Sequence, residues 1–164
     1  MSEHPSNNPP AANPPERKSG LVLMQGGPWA GWYHWEPVDH FEDHTGPFYV
    51  RPEHDGPDAP LVCAFEPEAK NRNGGGNIHG GALMTFADYA LFTLAGGMAA
   101  DVHGVTATMN CEFVGAAQAG RRLTARGEVV RAGGSLIFVR GLIDDDGRTV
   151  LSFSGTIKRL KRRD

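Results

Sequence analysis

Hydrophobic positions recur at helical spacing between residues 80 and 98, and the opposite face of this segment is also mostly apolar. A helix that is apolar nearly all round is either buried on several sides or spans a membrane, and this segment is long enough to span. However, Asp88 lies near its centre, Gly96-Gly97 lies near its end, and the sequence has no second hydrophobic span. The pattern therefore favours a core helix that is covered by a sheet.

After residue 104 the pattern changes to strict alternation of apolar and polar positions, which is typical of half-buried strands. Turn residues separate the alternating segments, which cover 105–113, 123–129, 136–143 and 151–158. Two shorter strands are predicted before the helix, at 48–51 and 61–66. The order of elements predicts an α+β fold, in which the single long helix covers one face of an antiparallel meander.

The chain divides by composition into three parts. Residues 1–18 are rich in Pro, Asn and Ser and are predicted to be a disordered tail. Residues 19–46 form an aromatic-rich extension without a strict period, and the remaining residues, 47–164, form the predicted main domain. The extension is expected to pack its aromatic side chains over the core, or alternatively to form a lid or wall of an apolar ligand site.

Composition narrows the possible partners and the compartment. A net charge of −3 argues against a broad nucleic-acid-binding face. The basic tail at 158–163 is either a solvated end or a contact for a phosphate-bearing ligand. Cys63 and Cys111 show neither a disulfide framework nor zinc-site spacing, and no secretory signal is seen, so we expect a reduced, cytoplasmic protein. The histidines of the extension have no partner at a recognisable spacing, and no metal is expected.

Asp88 is the only charged residue between Arg72 and Asp101. A carboxylate in such a helix costs several kcal/mol if it is buried without partners. It is therefore either on an exposed stripe, in a structural ion pair, or at a functional site as a general base or nucleophile.

The predicted helix starts at His79-Gly80-Gly81. The first turn of a helix has unpaired backbone N–H groups and a partial positive charge, which suits polarising a carbonyl oxygen. Helix capping explains the same residues equally well. From Gly80 to Asp88 the helix rises by about 12 Å, which is too far for one chain to use both in a single site. If both act together, an antiparallel helix of a second subunit must supply one of them.

Several of these residues together resemble a known family. Asn73, the run His79-Gly80-Gly81, Asp88 and the strand at 104–110 resemble the PaaI-like acyl-CoA thioesterases of the hotdog fold. The resemblance covers roughly residues 60–162 and implies a long central helix wrapped by an antiparallel sheet of five or six strands. It also implies a homodimer or homotetramer with sites at the subunit interface.

The resemblance also implies roles for individual residues. Asp88 matches the general base or nucleophile, and Gly80 the residue whose amide polarises the thioester carbonyl. Asn73, on the other subunit, would orient the reacting water or carbonyl, Thr106 would hold the water, and His79 would support the loop and the leaving thiolate. The substrate-binding candidates are the neighbouring glycine and two basic residues near the CoA phosphates: Gly81, Lys158 and Arg159.

The resemblance implies hydrolysis of acyl-CoA to acid and CoA without a cofactor, a metal, nucleic acid or a membrane. Two alternatives stay open: a hotdog 3-hydroxyacyl-thioester hydratase or dehydratase, and a non-catalytic acyl-CoA-binding protein. The Gly74–Asn77 loop looks more flexible than is usual for the family, which leaves the placement of Asn73 open.

Overall fold

The computed structural model describes residues 20–37, 39–99 and 102–161, and it has one long helix on an eight-stranded antiparallel sheet. The tail predicted at 1–18 lies outside the described residues. The strands and helices in chain order are β1 (Gly20–Leu23), β2 (Tyr33–Glu36), α1 (His40–Thr45), β3 (Phe48–Pro52), β4 (Leu61–Phe65), α2 (Gly80–Gly96), β5 (Gly104–Phe113), β6 (Leu123–Ala132), β7 (Leu136–Asp145) and β8 (Arg148–Arg159). The sheet order is β1-β2-β3-β4-β6-β7-β8-β5.

Helix α2 confirms the helix that the periodicity predicts. It ends at Gly96 because Gly97 takes φ +60°, a conformation that residues with a side chain rarely adopt, and one 3-10 turn follows. Its length and hydropathy alone would fit a membrane span. Its buried side chains instead pack into the main core with those of the sheet, as in the core helix of a soluble domain.

The strands after α2 form at the predicted places but not as one meander. Strands β6, β7 and β8 are consecutive neighbours, whereas β5 pairs with β8 and forms the edge of the sheet. Strand β4 pairs with β6, which joins the strands before the helix to those after it. Alternation specifies which face a side chain takes, but not which strand lies beside it, so the sequence could not give this order.

The strand count of five or six is too low, because the extension adds two strands. Strands β1 and β2 form a hairpin that joins the sheet through Tyr33 and Val50. Trp32 is buried against Tyr49 in a second cluster on the sheet face opposite α2, where Trp29 stacks on Tyr49 at 3.9 Å between ring centroids. Trp29 and Trp32 therefore pack on the outer face of the sheet, whereas Tyr33 packs against the main core, so the first expectation for the extension holds for only part of its aromatics.

Two glycines face each other on the neighbouring strands β6 and β7. Gly127 of β6 is paired with Gly141 of β7. A Cβ atom on Gly127 would overlap the carbonyl oxygen of Arg140, and one on Gly141 would overlap that of Arg126. The backbones of β6 and β7 therefore approach more closely here than strands with side chains can.

Candidate active site

Asp88 lies half-buried in the middle of α2, opposite the edge strand β5. The Thr106 hydroxyl donates a hydrogen bond to Oδ1 of Asp88 at 2.5 Å. Among the described residues, Oδ2 of Asp88 has no hydrogen-bond donor, and no cation pairs with the carboxylate. The structural ion pair considered for Asp88 is therefore not formed within the described chain. One oxygen is fixed by Thr106, and the other is available to accept a proton.

Glu42 of α1 is a second carboxyl group close to Asp88, and the sequence interpretation missed it. Burial, and then the charges of Asp39 and Asp88, raise the pKa of Glu42 to about 7. Helix α1 has a recognisable start signal, because Asp39 caps the amides of Phe41 and Glu42 and stands three residues before a glutamate. That spacing could have predicted α1, although not its position beside Asp88.

Cys111 of β5 is also close to Asp88. Burial, followed by the charges of Asp88 and Glu112, raises the pKa of its thiol. Cys63 lies fully buried in the core, and burial raises its pKa to about 12. Because a thiolate is the nucleophilic form of cysteine, both thiols are poor nucleophiles at neutral pH.

The start of α2 is a hydrogen-bonded cap. His79 is the N-cap residue, and its Nδ1 accepts a hydrogen bond from the Gly81 amide at 2.9 Å. The proton of a neutral His79 ring is therefore on Nε2. Among the described residues the Gly80 amide has no partner, whereas a substrate oxygen would have to compete with His79 for the Gly81 amide.

Gly80 is also needed for local packing. A Cβ atom at this position would lie 3.0 Å from Cε1 of Phe113 in β5. The ring of Phe113 therefore fills the space on this side of Gly80, so a substrate cannot occupy it.

Asn73 lies in a tight turn and not in a freely flexible loop. Its Oδ1 accepts from the Gly75 amide at 2.9 Å, and its own amide donates to the carbonyl of Asn77 at 2.8 Å. The side chain is exposed. Within one chain the structure joins Asp88 to Thr106 and His79 to Gly81, but no hydrogen bond links Asn73 to Asp88.

A buried residue, Asn71, anchors this loop and was not singled out from the sequence. Its Nδ2 donates to the carbonyl of Thr45 at 2.8 Å, and its Oδ1 accepts from the Glu68 amide at 2.8 Å. Its own carbonyl accepts from the amide of His79 at 2.8 Å. Asn71 thereby fixes the position of the cap that begins α2.

The structure separates the two basic residues proposed for the CoA phosphates. In the register of β5 and β8, Arg159 stands opposite Gly104 and Lys158 opposite Val105. Side chains on consecutive strand residues point to opposite faces, so Arg159 shares the face of the buried Ile157 while Lys158 points to the outer face. Neither forms an ion pair within the described residues.

A cavity of about 320 Å³ lies between the extension and α2. The extension provides one wall, and α2 with the start of β5 provides the other. The lining residues are Leu21, Trp35, Asp39, Glu42, Tyr89, Phe92, Thr93, Gly97, Val102, His103 and Gly104. This arrangement agrees with the alternative interpretation of the extension as the wall of a site. No group of three or more potential metal-binding side chains occurs in the part of the chain that the structure describes.

The chain is similar in sequence to a known family and to a bacterial protein. Residues 75–152 match the family model described as "Thioesterase superfamily". A Pseudomonas aeruginosa protein named "Putative esterase PA0474" is 32% identical over 114 residues, which cover 69% of this chain and 83% of the relative.

Solved structures of the same fold include PaaI proteins. A point mutant of the phenylacetic acid degradation protein PaaI from Thermus thermophilus is 26% identical, with a TM-score of 0.61, and the match covers 74% of this chain and 100% of that one. The PaaI protein of Escherichia coli is 25% identical, with a TM-score of 0.57 and coverage of 62% and 72%. A protein from Streptococcus pneumoniae described as a "Hypothetical Thioesterase Protein", solved with coenzyme A, is 24% identical, with a TM-score of 0.60 and coverage of 71% and 91%. The chain therefore belongs to the thioesterase superfamily, as a PaaI-like member with the hotdog fold.

Proposed function

We propose that this protein hydrolyses acyl-CoA thioesters to a carboxylic acid and CoA, in the cytoplasm and without a metal or cofactor. The observation that carries the proposal is the Thr106–Asp88 hydrogen bond, which holds one oxygen of a helical carboxylate and leaves the other without a partner among the described residues. Membership of the thioesterase superfamily supports the reaction class. The coenzyme A in the S. pneumoniae structure supports CoA as the carrier of the acyl group.

In the proposed reaction, Asp88 acts as general base or as nucleophile. As a base, its free oxygen takes a proton from water while the water oxygen attacks the thioester carbonyl. The Gly80 amide, at the positive end of α2, donates to the oxyanion that forms. The C–S bond then breaks, and the CoA thiolate leaves and takes up a proton.

The other candidates support this step. Thr106 orients Asp88 and the water, Asn73 orients the carbonyl or the water, and His79 holds the loop. Gly81 shapes the space at the helix start. Lys158 and Arg159 are the candidates for the CoA phosphates, and because they point to opposite faces we expect at most one of them to contact a given phosphate.

We propose that each site is built from two subunits of a homodimer, or of a homotetramer that contains such dimers. Along one helix Gly80 and Asp88 are separated by about 12 Å, which is too long for both to reach one carbonyl carbon. A two-fold axis that sets two α2 helices antiparallel would bring Asp88 of one subunit to Gly80 and Asn73 of the other.

A mixed-oligomer experiment tests this arrangement. Asp88→Asn and Asn73→Ala variants, each strongly impaired alone, should regain activity when they are unfolded, mixed in equal amounts and refolded. Random pairing gives about one quarter of the sites with both residues intact, so we expect about a quarter of wild-type activity. Activity no higher than the mean of the two separate variants would show that Asp88 and Asn73 serve the same subunit's site.

Thiol release from a panel of acyl-CoAs tests the function itself. The panel should contain acetyl, phenylacetyl, hydroxybenzoyl, medium-chain, long-chain and crotonyl thioesters. Release of free thiol that matches loss of the thioester is the expected result. Loss of the crotonyl double bond without thiol would instead indicate a hydratase, and tight binding without turnover would indicate a binding protein.

Thr106→Val should lower kcat by a factor of about 10 to 150, because a hydrogen bond to a charged group contributes about 1.5–3 kcal/mol and Asp88 would lose its orientation. Thr106→Ser keeps the hydroxyl and should retain most of the activity. The valine variant should unfold at a lower denaturant concentration than the serine variant, so activities are compared under conditions in which both are fully folded. Equal kcat values for the valine and serine variants would remove Thr106 from the mechanism.

A further inference from the structure

The cavity of about 320 Å³ is lined by neighbours of Asp88 on α2 and of Thr106 on β5, and by Glu42, whose pKa is raised by burial and also by the charge of Asp88. Phe92 lines it and stands four residues after Asp88, so it lies on the same face of α2 one turn further on. Gly104 lines it too and stands two residues before Thr106, on the same face of β5. Both elements therefore lead from the carboxylate into the cavity, over a distance of about 5–6 Å.

The lining of the cavity suits a short acyl tail. Leu21, Trp35, Phe92 and Val102 give it apolar walls, and its volume has space for roughly ten non-hydrogen atoms at the volume of liquid water. The wall from the extension lies outside residues 75–152, which match the family model.

Glu42 is the half-buried carboxyl group in this lining. Within the described residues no cation or hydrogen-bond donor meets its side chain. No lysine or arginine is among the lining residues, whereas Asp39 adds a second carboxylate. A negatively charged ligand group in this cavity would therefore meet carboxyl groups without a compensating lysine or arginine in the lining.

We propose that this cavity binds the acyl tail of the thioester, and that Glu42 makes the enzyme discriminate against tails that end in a carboxylate. The inference rests on the proposed thioester hydrolysis, and it adds the class of acyl group and the residue that selects it.

The discrimination against carboxylate tails should depend on pH and become stronger as the pH rises. Burial and the charges of Asp39 and Asp88 raise the pKa of Glu42 to about 7. The titratable groups that face Glu42 are Asp39 on its own helix, Asp88 and Tyr89 on α2, and His103 before β5. Below that pKa Glu42 is neutral and can donate a hydrogen bond to a carboxylate. Above it Glu42 is ionised and repels one.

The test compares hexanoyl-CoA with adipyl-CoA, which have six-carbon acyl groups and differ at the far end. The ratio of kcat/KM for adipyl-CoA to that for hexanoyl-CoA should fall about tenfold from pH 6 to pH 8, because the neutral fraction of a group with a pKa of about 7 falls by that factor. Effects of Asp88 on the chemical step apply to both substrates and cancel in the ratio.

Three variants test whether Glu42 causes the pH dependence of the ratio. Glu42→Gln should raise the adipyl ratio at pH 8 about tenfold and make it independent of pH. His103→Asn should keep the pH dependence of the ratio. Because His103 is the one imidazole among the lining residues, this result would show that a histidine does not cause the effect. Glu128→Gln, on the exposed side of β6, is the matched control and should behave as wild type.

The outcomes separate this inference from the proposed function. If acyl-CoAs are hydrolysed but Glu42→Gln keeps the wild-type ratio at every pH, the role of Glu42 is wrong while hydrolysis stands. If no acyl-CoA is hydrolysed, the proposed function fails, and the cavity is then tested by equilibrium binding of S-hexyl-CoA and S-(5-carboxypentyl)-CoA to the wild-type protein. Equal binding of the two thioethers at pH 8, or binding of neither, would overturn the inference.

Discussion

Replacing Asp88 by asparagine should lower kcat for acyl-CoA hydrolysis by a factor of about 10² to 10⁴, the range that a positioned acid–base group contributes. Asparagine has nearly the same shape, and its carbonyl oxygen can still accept the hydrogen bond from Thr106. The change therefore removes the proton acceptor or nucleophile and leaves the local packing intact. Initial rates of thiol release at saturating substrate measure the effect.

The matched control for this variant is Asp146→Asn. Asp146 lies in the turn between β7 and β8 with φ +51°, a conformation that asparagine also tolerates, and it is exposed. Its kcat should equal that of the wild type. An Asp88→Asn protein that hydrolyses the whole panel within about threefold of the wild-type rate would contradict the mechanism, since loss of a general base costs far more.

Gly127→Ala should lower the free energy of unfolding by about 3 kcal/mol, at the upper end of the usual cost of overpacking. The added methyl group would overlap the main-chain carbonyl of Arg140, and a backbone atom in the centre of a sheet cannot move aside as a flexible side chain can. Urea unfolding with an unchanged m value measures the shift.

Gly134→Ala is the control, because it makes the same chemical change at the end of the same hairpin. A Cβ atom at Gly134 has no heavy atom within 4 Å. Its stability should stay within about 0.5 kcal/mol of the wild type, as is usual for surface substitutions. Equal stabilities of the two variants would show that β6 and β7 can separate at the Gly127–Gly141 pair without loss.

The features predicted correctly from the sequence are those that depend on local periodicity. The helix around Asp88 and the alternation that carries Thr106 are properties of consecutive residues, so the spacing alone indicates them. Their contact, 18 positions apart in the chain, follows once a helix and a strand of this kind pack together. The family resemblance implied that Thr106 holds the reacting water, and the structure shows its hydroxyl bonded to Asp88.

The features that the sequence did not predict depend on contacts between distant segments. The place of β5 beside β8 is set by tertiary packing and not by its own pattern. The proximity of Glu42 to Asp88 depends on how a six-residue helix packs on α2, which no periodicity records. The separation of Lys158 from Arg159 follows, by contrast, from simple strand alternation and could have been recognised in advance.

Asn71 has a consequence for how the molecule opens. The side chain of Asn71 bonds to Thr45 at the end of α1 and to Glu68 in the loop before α2. Its backbone carbonyl bonds to His79, the N-cap residue of α2. Because breaking one of these hydrogen bonds leaves a buried polar group unpaired, opening of one segment weakens the anchor of the other. We therefore expect the segment that carries Glu42 and the segment that begins α2 to be coupled in local unfolding. The wall of the cavity and the cap of the helix should then lose protection from hydrogen exchange together.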